Sequence, residues 1–231
     1  MATTAIGVVG ASGTGKSTSL RNLDPKETFI ISISGKPLPF KGWKKSYTPL
    51  RKEDNQWLGN YHVTADYKEV LKILKFINTG LTHFKQVVID DFQYLMAYEF
   101  VDRATEKGFD KFSELAQHAM MILRFAEEMR DDCYMIITMH QENKGSDFDP
   151  KMGIKTLGKL LEEKITLEGM FTLLLFTKVI IDETTGVVNY QFVTNNNGEC
   201  LAKTPMEMFT DLYISNDMNY VLEIVRSYEN E

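Results

Sequence analysis

The chain predicts an α/β fold: a mostly parallel sheet with helices on both faces and a C-terminal antiparallel β-hairpin along one edge. Three observations carry that expectation. Short apolar, β-branched runs alternate with stretches whose apolar residues recur every three to four positions, the pattern of strands interleaved with helices and so of parallel pairing. The stretch VVGASGTGKSTSL, residues 8–20, matches the phosphate-binding loop G-x-x-x-x-G-K-[ST] and lies between a strand-like and a helix-like segment. Two late apolar runs flank Asp182-Glu-Thr-Thr-Gly186, a composition that turns a hairpin.

The elements follow in order. Residues 5–9 (AIGVV) are a buried strand, and 16–23 are the helix after the loop. Residues 28–33 form a second strand, and the stretch 34–52 after it is too rich in proline for a helix. Residues 66–77 place Val70, Ile73, Leu74 and Ile77 at i, i+3, i+4 and i+7, one buried helical face. A third strand spans 86–90, helical stretches span 92–107 and 110–130, and a fourth strand spans 133–139. A polar loop, 141–158, leads to a short helix near 160–164. Residues 170–181 and 187–194 are the hairpin arms, and 217–228 form a helix with Val221, Ile224, Val225 and Tyr228 inward.

At 231 residues, with no internal repeat and no linker, the whole of 1–231 reads as one domain. A hydrophobic content of 43% suffices for a core. The most apolar stretch, 170–181, is short and interrupted by Thr172, Thr177 and Lys178, which argues against a membrane span. The phosphate loop begins within the first ten residues and leaves no room for a signal peptide. Cys133 and Cys200 stand far apart and the four histidines are scattered, which argues for a reducing compartment and against a zinc site. The expected location is the cytoplasm.

In the loop, Gly10, Gly13 and Gly15 give turn conformations closed to other residues, so that backbone N–H groups point at phosphate oxygens. Ala11, Ser12, Thr14 and Thr18 complete the nucleotide-binding set. Lys16 reaches the β- and γ-phosphates, and the Ser17 hydroxyl is placed to ligate Mg²⁺. Val87-Val88-Ile89-Asp90-Asp91 ends a strand on two carboxylates. Asp90 takes the Mg²⁺ role usual at that place. Asp91 either caps the next helix at Phe92 or occupies the position where many ATPases keep a catalytic Glu, one methylene shorter.

Net charge is −6, which does not advertise nucleic-acid binding, but residues 34–52 hold Lys36, Lys41, Lys44, Lys45, Arg51 and Lys52 and no acidic residue. Phe40, Trp43 and Tyr47 stand between the lysines. Lysines along phosphates and rings on bases suit single-stranded DNA, with Lys36, Lys41, Trp43, Lys44 and Lys45 as its contacts. Two other readings stay open: a solvated loop whose Trp43 packs on the core, or a loop that touches ATP.

With these residues in hand, the chain resembles the RecA-like phage ATPases, and in particular the single-domain phage recombination proteins that anneal single-stranded DNA. The motifs that carry the resemblance are GASGTGKS (10–17), VVIDDF (87–92), ITMHQENKG (137–145) and NNNGECLAKTPMEMF (195–209). It implies a RecA-like P-loop NTPase sheet, ATP and Mg²⁺ as ligands, and a homo-oligomer, ring or filament. By the same resemblance His140 and Gln141 stand where a γ-phosphate sensor leads into a DNA-contacting loop, here with Lys144, Lys151 and Lys155. The family reaches a neighbour's ATP site with a Lys-x-Arg pair; here Lys203-Thr204-Pro205 keeps the lysine alone. RecA-type ATPases also take a glutamate from the end of the second strand, and Ile31-Ser32-Ile33-Ser34-Gly35 offers no carboxylate. The leading expectation is an ATP-dependent DNA recombination or annealing protein. A non-catalytic, ATP-gated DNA- or partner-binding module is the alternative. A small kinase ranks lower, because its arginines, at 21, 51, 103, 124, 130 and 226, are scattered.

Overall fold

Alternate residues of one strand serve different cores here, and that is what places helices on both faces of the sheet. The computed structural model of the chain describes residues 5–108, 110–156 and 166–230. In chain order its strands are β1 (Ala5–Gly10), β2 (Thr28–Ser32), β3 (Arg51–Glu53), β4 (Gln56–Leu58), β5 (Tyr61–Val63), β6 (Gln86–Asp90), β7 (Tyr134–Asn143), β8 (Met152–Ile154), β9 (Leu173–Ile181), β10 (Val188–Val193) and β11 (Tyr213–Ser215). The α-helices are α1 (Trp43–Ser46), α2 (Tyr67–Thr79), α3 (Gln93–Asp102), α4 (Asp110–Arg124) and, as α5, Met218–Glu229.

The main sheet runs β11-β10-β9-β1-β7-β6-β2-β5, with β8 paired to β7 off that path. From β9 to β5 every pairing is parallel. The β9–β10 and β10–β11 pairings are antiparallel, so the expected hairpin does close one edge. Val87 and Ile89 pack with α2 and α4, through residues such as Val70, Leu74 and Ile122. Val88 between them faces the other way, toward the core of Leu20, Val221 and Leu222. The predicted α2 face of Val70, Ile73, Leu74 and Ile77 is the buried one, and Asp66 caps that helix through Lys68 N. On α5, Asp217 is the cap and Met218, Val221, Leu222 and Val225 are buried; Ile224 is half-buried against the same core, and Tyr228, expected inward, is exposed.

Other expectations need correction. The helix at 16–23 is only a 3₁₀ turn, Ser17–Asn22, stopped short of Asp24-Pro25. The stretch 34–52 does contain one helical turn, α1, which lies between its prolines. The short polar strands β3 and β4 carry no alternation to betray them; they form a detached hairpin turned at Asp54 and Asn55, both at positive φ. Helix α3 ends at Asp102, and 110–130 divides into α4 and a 3₁₀ turn, Phe125–Glu128. Strand β7 runs past 139 to Asn143 because Gln141, Glu142 and Asn143 pair with β8, so part of the expected polar loop is sheet. The short helix expected near 160–164 lies outside the described residues. Among the described residues no helix is long and apolar enough to cross a membrane.

Candidate nucleotide-binding site

Parallel strands bring their C-terminal ends to one edge of the sheet, and there the polar residues of four of them meet. Gly10 ends β1 opposite His140 on β7, and Asp90 ends β6 opposite Ser32 on β2. They border a cleft of about 440 Å³ lined by Ser12, Gly13, Gly15, Lys16, Ser17, Thr18, Asp90, Asp91 and His140, all expected, by Lys36, whose loop reads first as a DNA contact with contact to ATP left open, and by Tyr190, which is not expected there.

The loop is built around its own lysine. Lys16 is 6% exposed, and its Nζ donates to Gly10 O at 3.0 Å and Ala11 O at 2.8 Å. Burial lowers the pKa of this ammonium, against the opposing pull of the Asp91 and Asp90 carboxylates. Thr14 Oγ1 donates to Ala11 O and pairs with Thr177 Oγ1 of β9 at 2.6 Å. Gly15 needs its freedom twice: its φ is +100°, and a Cβ there would sit 3.0 Å from Asn216 Oδ1 and 3.1 Å from the Tyr190 ring. Gly10 does not have positive φ; it is needed for room, since a Cβ would fall 1.8 Å from Thr177 Oγ1.

Ser17 Oγ donates to Asp90 Oδ1 at 2.8 Å, and Thr138 Oγ1, from β7, donates to the same oxygen at 2.7 Å. Burial and the neighbouring Asp91 charge raise the Asp90 pKa, opposed by those two hydroxyls and by Lys16. Asp91 is set differently. Its φ is +62°, a region Asp visits more readily than most residues, and its N–H donates to Thr138 Oγ1 at 2.8 Å. This turn swings the carboxylate away from the helix: no side chain caps α3, so the capping reading fails. Asp91 Oδ2 instead accepts from Ser34 Oγ at 2.8 Å and lies 3.5 Å from Lys36 Nζ; Oδ1 lies 3.6 Å from His140 Nε2. Burial would raise its pKa, but His140, Ser34 and Lys36 outweigh that and hold it down at about 2.

Residues 2–206 match the model of the AAA domain family. The chain belongs to that family. This AAA domain is a P-loop NTPase domain, and the cleft just described contains the residues of its phosphate-loop motif and the carboxylates that face them. A comparison with curated proteins returned no match. Among solved structures it is similar to the crystal structure of a KaiC-like protein from the hyperthermophilic archaeon Pyrococcus horikoshii OT3, at a TM-score of 0.48 and 10% identity over 83% of this chain and 78% of that one.

Other expected site residues of the AAA domain fall outside the cleft. Gln141 is a strand residue paired with Ile154. Lys203 bonds through its backbone to Leu174, near the start of β9 and away from the cleft edge. Lys41, Lys44 and Lys45 are exposed, while Trp43 is half-buried with its ring 5.7 Å from that of Tyr61 and Lys44 above it. Lys144 pairs with Glu142 and Lys151 with Asp149, and Lys155 is exposed beside a smaller cavity shared by Gln93, Tyr94 and His140. Ser34, Thr138, Thr177, Tyr190 and Asn216 belong to the site although no sequence motif marks them. Of these Thr138 and Thr177 leave a trace, each as a hydroxyl inside an apolar run, Tyr134–Met139 and 170–181.

Proposed function

We propose that the AAA domain binds ATP with Mg²⁺ in this cleft, hydrolyses it, and couples it to single-stranded DNA as a phage recombination or annealing protein acting as a homo-oligomer. The observation that carries the nucleotide part is the 2.8 Å contact of Ser17 Oγ with Asp90 Oδ1 beside the buried Lys16. A hydroxyl and a buried carboxylate are the hard oxygen donors that suit Mg²⁺, and these two residues would hold it. When bound, the ion would supply neutralisation of the phosphate charge. The loop N–H groups orient the phosphates, Lys16 adds its charge to them, and Asp91 is the carboxylate positioned to accept the proton of an attacking water.

The DNA part rests on the exposed Lys41, Lys44 and Lys45, which make no ion pair among the described residues, and on the resemblance to annealing proteins. A second reading, an ATP-gated module without useful turnover, is favoured by one observation: Asp91, held at a pKa of about 2, is a weak base. ATPase rate measured with and without single-stranded DNA separates the two. Stimulation by DNA supports the first, and binding without turnover supports the second. Turnover only in the presence of a phosphoryl acceptor would overturn both in favour of a kinase.

A further inference from the structure

Lys36 belongs by composition to the basic loop, but the fold separates it from the other lysines there. Strand β2 ends at Ser32, and the turn after it is fixed by Gly35 at φ +67°, by Gly35 N donating to Ser32 Oγ at 3.2 Å, and by Lys36 N approaching Ser34 Oγ at 3.4 Å. Pro37 and Pro39 stiffen the chain on the far side, and Leu38 between them is buried in the core. The turn therefore directs Lys36 into the cleft, which Pro37 and Pro39 also line, while Lys41, Lys44 and Lys45 lie farther along in solvent.

Its ammonium is held at the end of the cleft where the carboxylates are. Nζ lies 3.5 Å from Asp91 Oδ2, donates to Tyr94 OH at 3.2 Å, and stands 4.4 Å from the centroid of the Tyr94 ring. Lys36 and Lys16 are close enough that the Lys36 charge contributes to lowering the Lys16 pKa. Two ammonium groups thus face one cleft, one from the phosphate loop and one from the end of β2. With its side chain 59% exposed, Lys36 is tethered but not enclosed, and can exchange one anionic partner for another.

We propose that Lys36 is a ligand of the terminal phosphate, supplied in cis: it exchanges its contact with Asp91 for the γ-phosphate of a bound triphosphate, so that the cleft distinguishes ATP from ADP. The proposal rests on the reading of the cleft as a triphosphate site. A phosphate oxygen carries more charge than a shared carboxylate and offers a compact ammonium several acceptors, which favours the exchange. ADP has no group to reach Lys36.

The test is equilibrium titration of the full chain, with Mg²⁺, by ADP and by the non-hydrolysable β,γ-imido triphosphate. Lys36→Met should lose about tenfold or more in triphosphate affinity, the worth of one charged hydrogen bond, and change little toward ADP. Lys36→Arg should recover most of the loss. Single-stranded DNA affinity and its salt slope should be unaltered in Lys36→Met. Equal losses for both nucleotides, or none for either, overturn this proposal alone. A loss of DNA affinity with triphosphate affinity intact also overturns it and gives Lys36 to the strand. Failure of the unaltered chain to bind either nucleotide overturns the cleft reading itself, and this proposal with it.

Discussion

Lys16 and Lys45 carry the same charge in opposite surroundings. Lys16 is buried, with two carbonyl oxygens on its ammonium and two carboxylates within electrostatic reach. Lys45, with Lys41 and Lys44, projects from the turn around α1 into water. A charge fixed in a low-dielectric cleft interacts strongly with a single ligand; a charge in water interacts weakly, is screened by salt, and matters only in number. The cleft is therefore expected to fail by single substitutions, and the basic loop by degrees. Lys36 stands between the two, exposed like the loop lysines but placed like Lys16.

The largest effect is expected at Lys16. Lys16→Ala should lower ATP affinity by more than about a hundredfold, since the charge that faces the phosphates goes and the loop carbonyls are left without their partner. Calorimetric titration checks this, and unchanged affinity in a folded variant would remove the cleft from the comparison. Next comes Asp90→Asn, which should leave nucleotide bound while abolishing the dependence of that binding on Mg²⁺. If Asp91→Asn shows that phenotype and Asp90→Asn does not, the metal role belongs one residue further on.

Gly10→Ala should act on stability. The new methyl meets Thr177 Oγ1 and Thr14 Oγ1, so the 2.6 Å Thr14–Thr177 hydrogen bond must break, at a cost of about 1–3 kcal/mol for overpacking. Thermal melting should show a Tm lower by a few degrees or more. The smallest change per residue is expected in the loop. Replacing Lys41, Lys44 and Lys45 together by Gln should weaken binding to every single-stranded sequence alike. It should also flatten the slope of log K against log salt by about 0.7 for each phosphate that is no longer neutralised. ATP affinity should not move. If it falls while DNA binding holds, the basic loop serves the nucleotide, and the contrast between the two regions collapses.

The unequal legibility of the site has a physical origin. Lys16 and Ser17 are readable because a phosphate loop is a local structure whose donors lie within eight residues of one another. Asp90 is readable because an apolar run must end where its first charge stands. Thr138, Thr177 and Asn216 reach Asp90, Thr14 and Gly15 from β7, β9 and the segment before α5, and their part depends on which strands become neighbours, which no local pattern states. The place of Lys36 is hidden for a related reason. Charge and composition group it with Lys41, but a single turn at Gly35 separates them. In the fold, α2 and α5 are legible through their apolar spacing, whereas β3, β4 and β5 are three residues each, too short to show a period.

The position of β1 also has a consequence for how the chain is made. It precedes every other described strand, yet it sits between two that come much later: Ala5 pairs with Met135, and Ile6 with Leu173. The turn after the phosphate loop is tied later still, by Arg21 to Asn216 O at 2.7 Å and Asn22 to Asp217 at 2.6 Å. During synthesis β1 must wait, apolar and unpaired, until β7 and β9 have followed it. Such long-range pairing slows folding and lengthens the time in which the strand can find the wrong partner. Nucleotide cannot assist early, because the cleft that would grip it is lined from the phosphate loop as far along as Tyr190 and needs β7 and β9 in place beside β1.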